Sequence, residues 1–160
     1  MAETPGGDLL GELLPRLTQL GSVLQRGDLV ERGRRAAGHG LERPSIAVLV
    51  ALHLAGTPLR VGEIATRLQV VGPHVTRQVG DLERREMVRK VTDPADQRAR
   101  LIEPTAEGTA ATERYLGVMF GWFTDALAGW APDDREQLGR LLRRLVDDLT
   151  SHLDGADPAP

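Results

Sequence analysis

VTDPADQRARLIEPTAEG, Val91 to Gly108, packs a turn, a β-prone run and a helix start into eighteen residues. Upstream of it MVRKVTD is a second β-prone run, so MVRKVTD and RARLIEP flank PADQ as the two strands of a hairpin. Side chains alternate along a strand, which places Arg98, Arg100 and Ile102 on one face of the return strand. Arg98 is thereby expected at the hairpin tip, with Asp96 two residues before it. Beyond the hairpin, Pro104 enforces an extended approach to Thr105, which caps a long helix.

The residues leading into the hairpin have a different period. In VGPHVTRQVGDLERREM, Val75, Val79 and Leu82 recur at i, i+4 and i+7, leaving His74, Thr76, Arg77, Gln78, Asp81, Arg84 and Arg85 off the apolar stripe. TPLRVGEIATRLQV, just before it, reads as a shorter helix with Val61, Ile64, Ala65 and Leu68 inward. Two short amphipathic helices and a tight turn suit a helix-turn-helix, whose second helix enters the DNA major groove. A hairpin attached to that pair makes a winged helix. Earlier still, Pro44 starts a helix at its first position, SIAVLVALHLAG reads as buried nearly all round, and Gly56 stops it.

Helical periodicity also dominates both ends. Leu138, Leu141, Leu142, Leu145, Val146 and Leu149 form a stripe that Asp133 begins, with Glu136 completing an Asp variant of the capping box. Leu116, Met119, Phe120, Phe123, Leu127 and Trp130 carry another, and GWAPDD is the turn between the two. At the N-terminal end Leu10, Leu13, Leu14, Leu17, Leu20 and Leu24 make a third, in which Pro15 is expected to kink or restart the helix. These stripes hold more leucine than a small domain hides from both sides. A second copy of the chain across a twofold axis would cover them, and an intrachain bundle is the alternative.

The chain of 160 residues suits one compact subunit with its own core. Its net charge of −3 conceals a division: Gly56–Pro104 carries nine basic residues against seven acidic ones, and the remainder is −5. That asymmetry suggests a basic working face on an acidic body. There is no cysteine, which removes disulfides, thiolate chemistry and cysteine-ligated zinc. No apolar run spans a bilayer and no signal peptide is apparent, so no membrane partner is expected and the cytoplasm is the expected location. His39, His53, His74 and His152 show no metal spacing, and neither a phosphate-binding loop nor a nucleophile elbow occurs. The reading is therefore not an enzyme, with no cofactor and no metal.

RVGEIATRLQVVGPHVTRQVGDLERREMVRKVTDPADQRARLIEPTAEG resembles the DNA-binding core of the MarR family of bacterial transcriptional regulators. The most specific part of the resemblance is the wing, where Asp93, Pro94, Asp96, Arg98, Thr105 and Gly108 meet the family pattern. It implies a mainly α fold with a small β-wing, a winged helix-turn-helix with terminal dimerisation helices. By that frame residues 1–40 are an N-terminal helical region contributing to dimerisation, 41–104 the DNA-binding lobe, 105–153 long C-terminal dimerisation helices, and 154–160 a flexible tail. Leu10, Leu13, Leu17, Leu138, Leu141, Leu142, Leu145 and Leu149 are the expected dimerisation residues. Three departures from the family pattern involve four positions: Gly72 and His74 stand where Ser or Thr is frequent, Glu86 where Gly commonly follows the recognition helix, and Pro104 where Leu is usual.

The resemblance implies a regulator, a repressor, that binds double-stranded DNA at a pseudo-palindromic operator as a homodimer and is released by a small-molecule effector. It places base or phosphate contacts at His74, Thr76, Arg77 and Gln78, with Pro73 near the helix start. By chemistry Arg77 suits a guanine edge, Gln78 an adenine, and Thr76 or His74 a phosphate or base edge. An Arg77–Asp81 bridge within the helix is equally available. Arg98 suits the narrow minor groove, aimed by a charge-assisted pair with Asp96, against the ordinary reading of a surface ion pair on a turn. Arg60, Arg84, Arg85, Arg89 and Lys90 are phosphate candidates or a solvated basic face. Trp122, Phe120, Phe123 and Trp130 either line an effector pocket or pack in the core. A winged helix used only to bind another protein is the competing function.

Overall fold

The computed structural model describes residues 7–24 and 27–155, with side chains at 11–23 and 28–152. Among these residues the order is α1 (Gly7–Leu24), α2 (Gly27–Ala37), α3 (Arg43–Ala55), α4 (Val61–Leu68), α5 (Gly72–Arg84), β1 (Val88–Asp93), β2 (Asp96–Pro104), α6 (Ala106–Ala126) and α7 (Pro132–Gly155). The fold is mainly α with one antiparallel hairpin, as the sequence led us to expect. It divides into two compact units, one up to Phe120 and one from Gly121.

The core of the first unit gathers the apolar stripes of α3, α4 and α5 onto the base of the hairpin. Leu49, Leu52, Ile64, Val75, Val79, Leu82, Met87 and Ile102 are all essentially inaccessible. Each such side chain contributes about 1.5–3 kcal/mol by leaving water, enough to hold the lobe without covalent ties. Pro44 occupies the second helical position of α3 rather than the first, and Gly56 closes the helix in the left-handed region at φ 65°. The helix is not buried all round: Leu54 on its open side is 73% exposed.

Both helix-turn-helix elements end in the same way without glycine. After α4, Gln69 takes φ 54°, its N–H donating to Thr66 while Val70 donates to Ala65. After α5, Glu86 takes φ 58°, donating to Glu83 while Met87 donates to Leu82 at 2.9 Å. These are Schellman closures with a non-glycine residue in the left-handed position, each carrying about 1–2 kcal/mol of Cβ strain. Burial of Met87 just beyond the turn offsets it at Glu86.

The hairpin is tighter than the sequence suggests. Its loop is only Pro94–Ala95, and Asp96 and Gln97 already belong to β2. Register runs from Val88↔Pro104 to Thr92↔Arg100 and then jumps to Asp93↔Asp96, so residues 97 to 99 bulge without partners opposite. Arg98 therefore stands on this bulge, two residues inside the strand and not at the tip. A single bridge adds a third edge: Leu59 and Ile102 exchange backbone bonds of 3.0 and 2.8 Å.

Thr105 caps α6 as expected, its Oγ1 accepting the Gly108 N–H at 3.1 Å while its hydroxyl donates to the Glu86 carbonyl at 2.7 Å. α6 ends at Ala126, so Leu127 and Trp130, expected on its stripe, lie in the turn before α7. In the second unit α7 begins at Pro132, one residue before the expected Asp133, because proline's fixed φ suits a first helical position and its missing N–H costs nothing there. α7 continues through Gly155, two residues into the segment expected as tail; residues 156–160 lie outside the described ones.

α1 is continuous through Pro15, which neither restarts nor ends it. Residues 11–20 are all exposed, so water satisfies the carbonyl that Pro15 leaves unpaired. α2 was not evident in the sequence. Its inward residues are few, Leu29 and Ala37, and Gly33 lies so close to the Tyr115 ring of α6 that a Cβ would stand 2.7 Å from it.

Candidate nucleic-acid interface

α5 is held by its buried stripe and presents the opposite side to solvent. Pro73, His74, Thr76 and Arg77 are exposed there. The Thr76 hydroxyl donates back to the Gly72 carbonyl at 3.1 Å, leaving its oxygen lone pairs outward as acceptors. Gln78 does not join them. It is partly buried, and its Oε1 accepts the hydroxyl of Ser45 on α3 at 2.9 Å; that hydroxyl is inaccessible and needs an acceptor. That bond fixes α5 on α3.

The arginines sort into paired and unpaired. Asp81 takes Arg84 at 3.1 Å and Arg85 at 2.9 Å, not Arg77. Lys90 pairs with Glu83 at 2.6 Å, and Arg89 with Glu103, its partner across the hairpin. Arg60, at the N-cap of α4, donates from Nε and Nη2 to Asp93, while its backbone N–H meets Glu63 at 2.6 Å. Arg60, Arg84 and Arg89 are therefore neutralised in place, although all three stay accessible. No carboxylate of the described residues lies within 4.0 Å of Arg77 or Arg98.

Asp96 acts differently from the expectation. Its Oδ1 accepts the backbone N–H of Arg98 at 3.0 Å and does not pair with the guanidinium. A two-residue spacing favours this Asx-type bond, because the backbone amide comes within reach before the longer side chain can fold back. Arg98 is thus aimed through its backbone, with its charge free. The buried carboxylate of the wing is Asp93, 7% exposed. The hydrogen bond from Arg60, aided by the Ala95 N–H, holds its carboxyl below the ordinary aspartate value.

A second charged cluster ties α2 and its following loop to α6. Glu107 receives Arg114 at 3.0 Å and His39 at 2.9 Å, and Arg114 also donates to the Ala36 and Ala37 carbonyls. Arg114 first, and His39 second, hold the Glu107 carboxyl below its usual range. His39 takes φ 59° between Gly38 and Gly40, which are also left-handed, and Arg85 of α5 donates to its carbonyl at 2.6 Å. Nothing in the spacing of these residues signals the cluster.

The expected dimerisation residues lie on open faces. Leu13 and Leu17 on α1 are 37% and 42% exposed; on α7 Leu141, Leu142 and Leu149 are exposed, with Leu138 and Leu145 half-buried. The side chain of Leu10 lies outside the described residues. Of the aromatics, Trp122 and Phe123 pack edge to face at 5.1 Å, and Trp130 lines only an open hollow at the α6–α7 turn. A more enclosed apolar cleft of about 240 Å³ lies between α2, α3 and α6, walled by Val30, Ile46, Ala47, Val50 and Tyr115 with Arg34 and Arg43 at its edge.

A helix-turn-helix whose second helix is exposed, followed by a hairpin bearing an unpaired arginine, defines a winged helix-turn-helix protein. A family model described as MarR family matches residues 39–99. Two relatives from Bacillus subtilis are uncharacterized HTH-type transcriptional regulators. YxaD is 27% identical over 79% of this chain and 87% of its own; YkoM is 29% identical over 69% and 71%. Among solved structures, a MarR family protein from Bacillus stearothermophilus superposes with a TM-score of 0.75 at 21% identity, covering 93% of this chain and 99% of that one. An S. aureus MepR mutant bound to an oligodeoxyribonucleotide gives 0.58 at 19% identity, over 85% and 97%. At these identities the structures speak for the fold. Residues 39–99 of this chain are thus similar to the MarR family, and the solved structures share its winged-helix fold.

Proposed function

We propose that this chain is a sequence-specific DNA-binding repressor acting as a homodimer on a pseudo-palindromic operator. One observation carries the reading: Arg77 on α5 and Arg98 on the wing keep guanidinium groups free of any carboxylate, whereas Arg60, Arg84, Arg85 and Arg89 are matched to carboxylates. An isolated, desolvatable charge is what a phosphate or base edge takes up. α5 enters the major groove with Arg77, Thr76 and His74 outward, and Arg98 reaches the flanking minor groove. The leucine faces of α1 and α7 are covered by a second copy, which sets two recognition helices about 10 bp apart, one helical turn. A small apolar effector seats in the cleft walled by Val50 and Tyr115, where α2 and α6 meet α3, and shifts the population away from the DNA-binding spacing.

The test is binding to DNA from the chain's own upstream region, followed by fluorescence anisotropy across a salt series. Each phosphate contact contributes about 0.9 to the slope of log K against log salt. Arg98→Ala is expected to weaken binding about 10-fold or more while the fold is kept, since its side chain is exposed and unpaired. Unchanged affinity in that variant contradicts the role of the wing. Absence of DNA binding at low salt, with capture of one specific protein partner, establishes the competing function.

A further inference from the structure

We infer that Arg60 and Asp93 form a positioning pair for the wing, setting the direction of Arg98 relative to α5 and contributing to DNA affinity only through Arg98. This rests on the DNA-binding reading above and adds residues that do not themselves touch DNA.

Asp93 is the one buried acidic side chain among the described residues. Leaving a carboxylate in that position is costly unless it is fully bonded. Its two oxygens do separate work. Oδ1 accepts the Ala95 N–H at 2.8 Å and so shapes the two-residue loop, while Oδ2 takes both donors of Arg60. Arg60 is the N-cap of α4, the helix packed directly on α5. Next to it in the chain, Leu59 holds the stem of the hairpin by its two bonds to Ile102. Residues 59 and 60 therefore fasten the wing at two levels, by backbone at the stem and by side chain at the far end of β1.

The far fastening matters because the ladder does not fix Arg98: residues 97 to 99 have no partners opposite. The Arg98 backbone is held by Asp96, just past the loop that Asp93 shapes, and no carboxylate restrains its guanidinium. Continuity thus runs from α4 through Arg60, Asp93 and the loop to Asp96 and Arg98. Without the ion pair the bulge samples more orientations, and DNA must order it on binding.

A different role for Arg60 gives the opposite sign. If Arg60 were itself a phosphate contact, Asp93 would compete for it, and Asp93→Asn would tighten binding. Positioning requires Asp93→Asn to weaken binding, although the substitution removes a negative charge from a DNA-binding surface. It keeps an oxygen for the Ala95 N–H and is close to isosteric.

The experiment measures Kd of the full-length chain for its upstream DNA by anisotropy, at one salt concentration and well below the melting temperature of each variant. Asp93→Asn and Arg60→Gln are each expected to raise Kd about 2- to 10-fold, the scale of ordering one side chain and its turn. In an Arg98→Ala background the same substitutions are expected to add less than about twofold, whereas in an Arg77→Ala background they keep their full factor. Losses that multiply with Arg98→Ala, or tighter binding by Asp93→Asn, overturn the inference while leaving the DNA-binding reading intact. A pair that only supports the fold lowers the melting temperature but leaves Kd unchanged, which also overturns it. Should Asp93→Asn fail to fold, Arg60→Gln, whose side chain is half exposed, carries the same cycle. A wild-type chain that binds no DNA removes the parent reading and this inference together.

Discussion

Replacing Gly108 by alanine tests the join between the wing and α6. Gly108 is fully buried, and a Cβ built there would run directly into the backbone carbonyl of Met87, with the Leu49 side chain 3.4 Å away on another side. That carbonyl is not free to move. It accepts the Thr105 N–H at 3.0 Å, and Thr105 in turn bonds both Gly108 and Glu86. Overpacking a core against movable side chains costs about 1–3 kcal/mol. Here the obstacle is backbone, so the top of that range is the expectation, about 3 kcal/mol. For a chain of this length each kcal/mol lowers the melting temperature by about 2–4 °C, giving a fall of about 6–12 °C. Gly117 on the same helix has nothing within 4 Å of its missing Cβ, so Gly117→Ala is expected to gain about 0.5–1 kcal/mol from helix propensity alone. Calorimetry at one fixed protein concentration compares the two. A Gly108→Ala variant that melts with the wild type, or moves in the same direction as Gly117→Ala, refutes the reasoning.

Two further expectations concern acid stability and assembly. Glu107 has a folded-state pKa depressed by Arg114 and His39, so its contribution is fully present above the unfolded carboxylate value of about 4.3 and is lost as pH falls through the lower folded value. Glu107→Gln is therefore expected to reduce the loss of stability on acidification from about pH 5 downward, measured by urea denaturation at several pH values; an unchanged acid limb rejects the assignment. Leu141→Glu with Leu149→Glu places charges on the exposed apolar face of α7, and sedimentation is expected to show a monomer that keeps its helical content, whereas a retained dimer rules out that face as the interface.

Periodicity made α4, α5 and α7 legible: Val75, Val79 and Leu82 are inward for the reason their spacing gives, and the leucine stripe of α7 marks its helix although that stripe stays open. α2 escaped because Leu29 and Ala37 are the only buried apolar side chains among its described residues, and the close approach of Gly33 to Tyr115 depends on a residue more than eighty positions away. The site was legible as a set of residue types and not as a set of partners. Asp81 has arginines at positions 77, 84 and 85 within helical reach, and only the folded rotamers select the last two. Arg60 and Asp93 are thirty-three residues apart, and Gln78 turns inward because Ser45 waits there. Pro15 shows the reverse error, since a local breaker is tolerated where solvent replaces the lost bond.

The bond between Ser45 and Gln78 has a practical side. With Val75, Val79, Leu82 and Gln78 all committed inward, α5 cannot roll about its own axis without stripping a buried hydroxyl of its acceptor. On the proposed DNA-binding role, His74, Thr76 and Arg77 form a cassette on an unmoving rod, the three positions to exchange when retargeting this chain.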